Sequence, residues 1–146
     1  MINRDDIVKQ AKSWIGTKFR FQGRIKKNSE NNGGVDCLGL IIGVADEVGF
    51  TYNGELLSYY DNIFYSKKFK FDILKEKFEE YFYKKDSIKN IEKGDIILQK
   101  LSDVQYHLMI YTGEGFIHSS AITLSVVENH VNDLNDSNCI IYSMIL

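Results

Sequence analysis

From Leu38 to Ala45 the chain runs Leu-Gly-Leu-Ile-Ile-Gly-Val-Ala, with no charged or polar side chain. Asp36 before it is a good helix N-cap, and Gly49 beyond it is a C-terminal stop. A helix that is apolar nearly all round its first two turns cannot lie on a surface. It must be central and enclosed by the rest of the chain.

The flanking segments supply the cover. A first helix is predicted after Asn3, which can cap it. Asp5 and Asp6 suit the positive end of its dipole, and Gly16 ends it. Ile7, Ala11, Trp14 and Ile15 fall on one face, so Trp14 belongs to the core. Phe19 to Gly34 starts strand-like and continues as a loop rich in turn formers from Asn28 to Gly34. Residues 71–83 read as an amphipathic helix with Phe71, Ile73, Leu74, Phe78 and Tyr81 or Phe82 facing inward. From Gly94 onward the pattern changes to strands, near Asp95–Gln99, Tyr106–Thr112, Gly115–Ser119, Leu124–Glu128 and Asn138–Met144. Helices first and strands later, joined by short turns, predict an α+β fold with N-terminal helices packed on a C-terminal antiparallel sheet. With 146 residues and no repeat, linker or low-complexity segment, the expectation is one domain over 1–146.

Composition removes several functions. The formal net charge is -2 and gives no electrostatic reason to expect a nucleic-acid partner. Lys67, Lys68 and Lys70 are interrupted by Phe69 and Phe71 and read as a solvated face. No apolar run approaches the ~18–20 residues of a membrane span. Met1 to Trp14 is charged and amphipathic, without the apolar region of a signal peptide. The expectation is therefore synthesis in the cytoplasm, with exit by lysis or by packaging into a particle. Two cysteines are too few for a disulfide framework. Cys139, within the strand-like Asn138–Tyr142, reads as a buried, inert thiol.

Cys37 differs. It follows the capping Asp36 and so falls in the first turn of the central helix. A free thiol, with a pKa near ~8.5, is mostly protonated at neutral pH. A helix N-terminus and a nearby histidine both favour the thiolate, and the first turn also leaves N–H groups free for an oxyanion. A small buried hydrophobe in an apolar helix is the alternative. His107 opens the apolar strand Leu108–Tyr111, and His118 lies on the next strand beyond the turn at Thr112–Gly115. Antiparallel pairing can bring the two together as a base and its orienter, or they are unrelated strand histidines. His130, among Asn129, Asn132 and Asp133, is assigned to the surface. A zinc site needs about four ligands at recognisable spacings, and neither CxxC nor HExxH occurs, so no metal and no cofactor is expected.

These residues resemble a known family. Gly34-Val35-Asp36-Cys37-Leu38-Gly39-Leu40-Ile41 resembles the nucleophile motif of the NlpC family of papain-like cysteine peptidases. Gly94-Asp95-Ile96-Ile97-Leu98 resembles its "GD" strand, His107–Gly113 its base-bearing strand, and Phe116-Ile117-His118-Ser119 the strand with its third polar residue. Trp14 to Gly23 fits as well, and "DCLGL" resembles the phage-type branch. The resemblance implies a papain-like NlpC fold and hydrolysis of peptide amide bonds in bacterial cell-wall peptidoglycan, commonly the D-γ-glutamyl–diaminopimelate link. It implies Cys37 as nucleophile, His107 as base and His118 as orienter, with phage tail or particle proteins as partners and action at the wall. Phe19 stands where the family usually has Tyr, which removes a hydroxyl. Met109 replaces a common Gly, and Leu38 replaces Ser. Phe19, Gln22 and Asp36 are the candidate substrate or oxyanion contacts. The segment from Arg24 to Asn32 is longer than usual and is a candidate lid or substrate wall. Two other readings stay open: a tail or assembly protein that keeps the fold with little activity, and an amidase or acyltransferase using the same triad.

Overall fold

The structure, a computed structural model, describes residues 1–65 and 71–146. The Lys67, Lys68 and Lys70 run lies outside the described residues.

Helix α1 spans Arg4–Lys12, capped by Asn3, whose side chain accepts from the Asp6 N–H. It stops a turn before Gly16. Irregular turns then carry Trp14 into the core and end at Gly16, which has φ +96°. A two-stranded ribbon follows, β1 (Arg24–Ile25) with β2 (Gly34–Val35). Helix α2 spans Cys37–Glu47. Gly49 N–H donates to Asp46 O and Phe50 N–H to Ala45 O, the double closure of a Schellman motif. Strands β3 (Thr51–Tyr52) and β4 (Glu55–Leu56) form a hairpin whose corner, Asn53-Gly54, has both residues at positive φ. A 3-10 helix runs over Leu57–Tyr65, and α3 over Phe71–Tyr81.

The remaining strands are β5 (Tyr83–Lys84), β6 (Ile96–Lys100), β7 (Tyr106–Tyr111), β8 (Phe116–Ser119), β9 (Val126–Asn129) and β10 (Cys139–Ser143). They make one antiparallel sheet in the order β5-β10-β6-β7-β8-β9. The expected strands are all present, four of them within about a residue of their predicted ends. The exception starts at Val126 rather than Leu124. Ser120 and Thr123 trade side-chain and backbone hydrogen bonds in a tight turn that leaves Leu124 at φ +64° and exposed.

Strand alternation divides the core. Leu108 and Ile110 of β7 face α1 and α2. Met109 between them faces Ile97, Cys139 and Ile141 on the other side. Helix α2 meets the expectation of burial: Leu38, Leu40, Ile41, Ile42 and Val44 are each 4% exposed or less. Removing these side chains from water contributes on the order of 10 kcal/mol before chain entropy opposes it. On α3 the inward face holds Phe71, Leu74, Phe78 and Tyr81, and Phe82 is buried just beyond it. Ile73, expected inside, is exposed, because the stripe runs through positions 71, 74, 78 and 81 and position 73 lies off it.

The Trp14 ring packs against α2 at Gly43. A Cβ there would sit 2.3 Å from Trp14 Cζ2 and 2.5 Å from Cη2. We expect Gly43→Ala to destabilise the protein by about 1–3 kcal/mol despite its better helix propensity, measured as a fall in thermal midpoint by circular dichroism.

Candidate active site

Strands β7 and β8 pair only at Ile110↔Ile117 and Tyr111↔Phe116. Beyond that point β7 stays with β6 back to Tyr106↔Lys100. Strand β8 stays with β9 out to Ser119↔Val126. The two strands therefore part, and the start of α2 enters the opening. Ser119 Oγ, buried on β8, donates to the Val35 carbonyl at 2.8 Å. On the β7 side the Leu108 N–H faces the Cys37 sulfur, as do the N–H groups of Leu38 and Cys37 itself.

Two imidazoles span the same opening. His107 Nε2 and His118 Nδ1 are 2.8 Å apart, with the rings at 80° to each other. This uses the Nε2 of His107 and leaves its Nδ1 for another partner. His118 is buried, and its Nε2 has no hydrogen-bond partner among the described residues. The sequence expectation that these histidines meet across adjacent strands is met. His130 is exposed and Cys139 is buried, its Sγ–H donating to Asn135 O, both as expected.

Cys37 and His107 line one cleft of about 460 Å³ with Phe19, Phe21, Asp36, Leu101, Val104, Gln105, Tyr106 and the 119–121 turn. Phe19 presents an aromatic ring with no polar atom there. Gln22 lies outside this lining, in a neighbouring groove, and its backbone N–H donates to Asp36 Oδ2. Asp36 reaches the cleft, but its Oδ1 accepts from the Gly39 N–H at 2.7 Å and from Arg24 at 2.8 Å. None of residues 24–32 lines the Cys37 cleft. Arg24, Ile25 and Asn31 border the neighbouring groove, and Lys26 is held by Ser13 and Glu47. The segment is a wall beside the site and does not cover it. Met109 and Leu38 are core side chains away from the cleft lining.

The electrostatics depart from expectation. The helix start was expected to lower the Cys37 pKa. Burial and the Asp36 carboxylate outweigh the N–H groups and push the thiol up to about 12. Burial, reinforced by His118, pushes His107 down to about 4. At rest the cleft holds a neutral thiol and a neutral imidazole. Such a pair can still react when the base takes the proton as the sulfur attacks. Sequence reasoning missed Arg24, which grips Asp36, and Asp61, which in turn holds Arg24. A lone Arg among turn formers carries no signal for a contact 37 residues away.

A thiol at the start of a buried helix, wedged between sheet strands that carry two coupled imidazoles, defines a papain-like cysteine hydrolase. The chain belongs to the NlpC/P60 family, whose profile matches residues 16–137. Members of this family are cysteine peptidases and amidases that hydrolyse peptidoglycan, which places their action at the cell wall. Comparison with curated proteins gives no match. Among solved structures, the chain is similar to the NlpC/p60 domain of the peptidoglycan hydrolase SagA, at 23% identity and TM-score 0.58, covering 97% of this chain and 99% of that one. It is similar to the P60 domain of an antigen from M. avium subspecies paratuberculosis, at 16% identity and TM-score 0.60, covering 98% and 95%. It is also similar to an N-acetylmuramoyl-L-alanine amidase from Bacteroides uniformis, at 12% identity and TM-score 0.54, covering 96% and 97%. No helix among the described residues is long and apolar enough to cross a membrane.

The depressed His107 pKa links to stability. The unfolded chain binds a proton at this histidine below its ordinary value near 6.5, while the folded chain resists it down to about 4. The native state therefore loses stability as pH falls through that window. We expect His107→Gln to flatten this part of the dependence, with a smaller fall in thermal midpoint than wild type between pH 7 and pH 4. Parallel curves would overturn the assignment.

Proposed function

We propose that this chain is a peptidoglycan endopeptidase domain, with Cys37 as nucleophile, His107 as base and His118 as its orienter. The contact of 2.8 Å between the two imidazoles, at the cleft that also holds Cys37, carries the reading. The bond we assign is D-γ-glutamyl–diaminopimelate, on the strength of the nucleophile motif. The "DCLGL" form of that motif supports release with a phage or phage-like particle, whose tail proteins would bring the enzyme to the wall.

The geometry suits this chemistry. His107, protonated on Nε2, donates to His118 Nδ1 and keeps the Nδ1 lone pair for the thiol. As the sulfur attacks the carbonyl carbon, His107 Nδ1 takes the thiol proton, and the oxygen gains charge near the Cys37 N–H. The C–N bond then breaks, the amine leaves with the proton from His107, and a thioester remains. His107 next takes a proton from water, and the hydroxide equivalent opens the thioester to release the acid and restore the thiol. His118 orients the imidazole without adding a negative charge that would favour its cation, which agrees with the low His107 pKa.

Digestion of purified peptidoglycan tests the reading. Wild type should release peptide fragments, and Cys37→Ala should lose at least 10³-fold in rate, within the range expected when a nucleophile is removed. Equal product from both would sink it. Mass spectrometry of the fragments separates the endopeptidase from a second reading, cleavage of the muramoyl–alanine amide, which the similarity to the Bacteroides amidase favours. A further variant probes the orienter. His118→Asp puts a carboxylate beside His107 Nε2 and should raise the His107 pKa. The acid limb of kcat/KM would then move up from about pH 4 toward the ordinary histidine range. An unmoved limb would remove His118 from this role.

A further inference from the structure

Asp36 has two conflicting effects on the nucleophile. Its carboxylate caps the helix that carries Cys37, through Gly39 N–H at 2.7 Å. It also holds a negative charge next to a sulfur that must become negative, and that charge works against the thiolate. A cap without this penalty would be a neutral Asn or Ser, which serve about as well.

Arg24 sits where the conflict can be resolved. Its Nη1 donates to Asp36 Oδ1 at 2.8 Å and to the Gly23 carbonyl at 2.8 Å. Its Nε and Nη2 grip Asp61 at 2.8 and 3.2 Å in a two-point contact. The three side chains are 17%, 15% and 11% exposed, so water screens them only weakly. The chain makes room for this arrangement. A Cβ at Gly39, in the first turn of α2, would lie 2.9 Å from Arg24 Nη1 and 2.4 Å from the Gly23 carbonyl. The guanidinium therefore lies over the turn that starts at the nucleophile. Asp61 comes from the 3-10 helix and lines neither the cleft nor the neighbouring groove.

We propose that Arg24 is a positioning residue for Cys37: it locks the Asp36 carboxylate into the helix cap and offsets its charge at the sulfur, and Asp61 holds Arg24 in place. The other titratable groups around the sulfur are Tyr106 and His107, both on β7. Tyr106 feels Cys37, Asp36 and Arg24 together, and Arg24 acts on it opposite in sign to the other two. The 3-10 segment thereby tunes a thiol it does not touch. The inference does not depend on which wall bond is cut.

Alkylation of Cys37 by iodoacetamide across pH 6 to 10, followed at that residue by mass spectrometry, tests it without substrate. Arg24→Gln leaves Asp36 uncompensated, so the rate at pH 8 should fall several-fold and the profile should move to higher pH. Arg24→Lys keeps the charge and should stay within about twofold of wild type, even if its thermal midpoint falls. Asp61→Asn keeps an oxygen that accepts from Arg24 and holds it in place, but removes a competing negative charge, and should move the profile to lower pH. A wild-type profile for a folded Arg24→Gln would overturn the proposal. So would equal slowing of all three variants, since a merely structural role moves them in one direction. If Arg24→Gln fails to fold, Arg24→Lys and Asp61→Asn decide: slowing of both rejects the proposal. Peptidoglycan digestion by wild type is a separate readout, so loss of the endopeptidase reading leaves this one standing or falling by itself.

Discussion

The site depends on where two strands stop pairing. Strands β7 and β8 share two residue pairs and then diverge, each remaining paired with its outer neighbour. The gap exposes backbone groups that cannot be left unsatisfied in a core. The start of α2 fills it: Ser119 bonds the Val35 carbonyl, and the Leu108 N–H meets the Cys37 sulfur. The same divergence leaves His107 and His118 to join across the opening through their side chains. The placement of Cys37 and the contact between the two imidazoles are thus two results of one interruption in the sheet.

That placement has an electrostatic cost. Wedging the sulfur into the sheet buries it, and burial outweighs the helix-start N–H groups that favour a thiolate. His107 is buried by the same packing and resists a proton. Its partner His118 is another imidazole, so the contact holds the ring without a negative charge that would favour the cation. A thiol pushed up to about 12 stays protonated at neutral pH, which protects the sulfur from adventitious oxidation. The Arg24 grip on Asp36 works against the least favourable part of the arrangement, the carboxylate beside the sulfur.

The departures from the familiar motif pattern divide by location. Met109 and Leu38 fill the two cores and leave the cleft untouched. Phe19 does line the cleft, and its ring joins Phe21, Leu101 and Val104 in an apolar wall. The long segment after Arg24 runs beside the site, anchored by Lys26 to Ser13 and Glu47, so its length adds a groove wall and not a lid.

Much of this was written locally. The caps at Asn3 and Asp36, the apolar run of α2 and the strand alternation are short-range patterns, and the structure follows them. The few misses are also local in cause: the sequence pattern places Leu124 in a strand, while hydroxyl bonding between Ser120 and Thr123 turns its backbone. The motifs around Cys37, His107 and His118 identified the residues that the fold brings together. Three things escaped a linear reading. The parting of β7 and β8 is a property of strand pairing and has no residue signature. The sign of the Cys37 shift depends on how much packing surrounds the sulfur. The Arg24–Asp61 pair joins residues 37 apart in the chain. Sequence alone determined which side chains are available and which elements carry them, because those follow from nearest-neighbour chemistry. Tertiary structure alone decided their charge states and their partners, because both depend on distances between segments that meet only after folding.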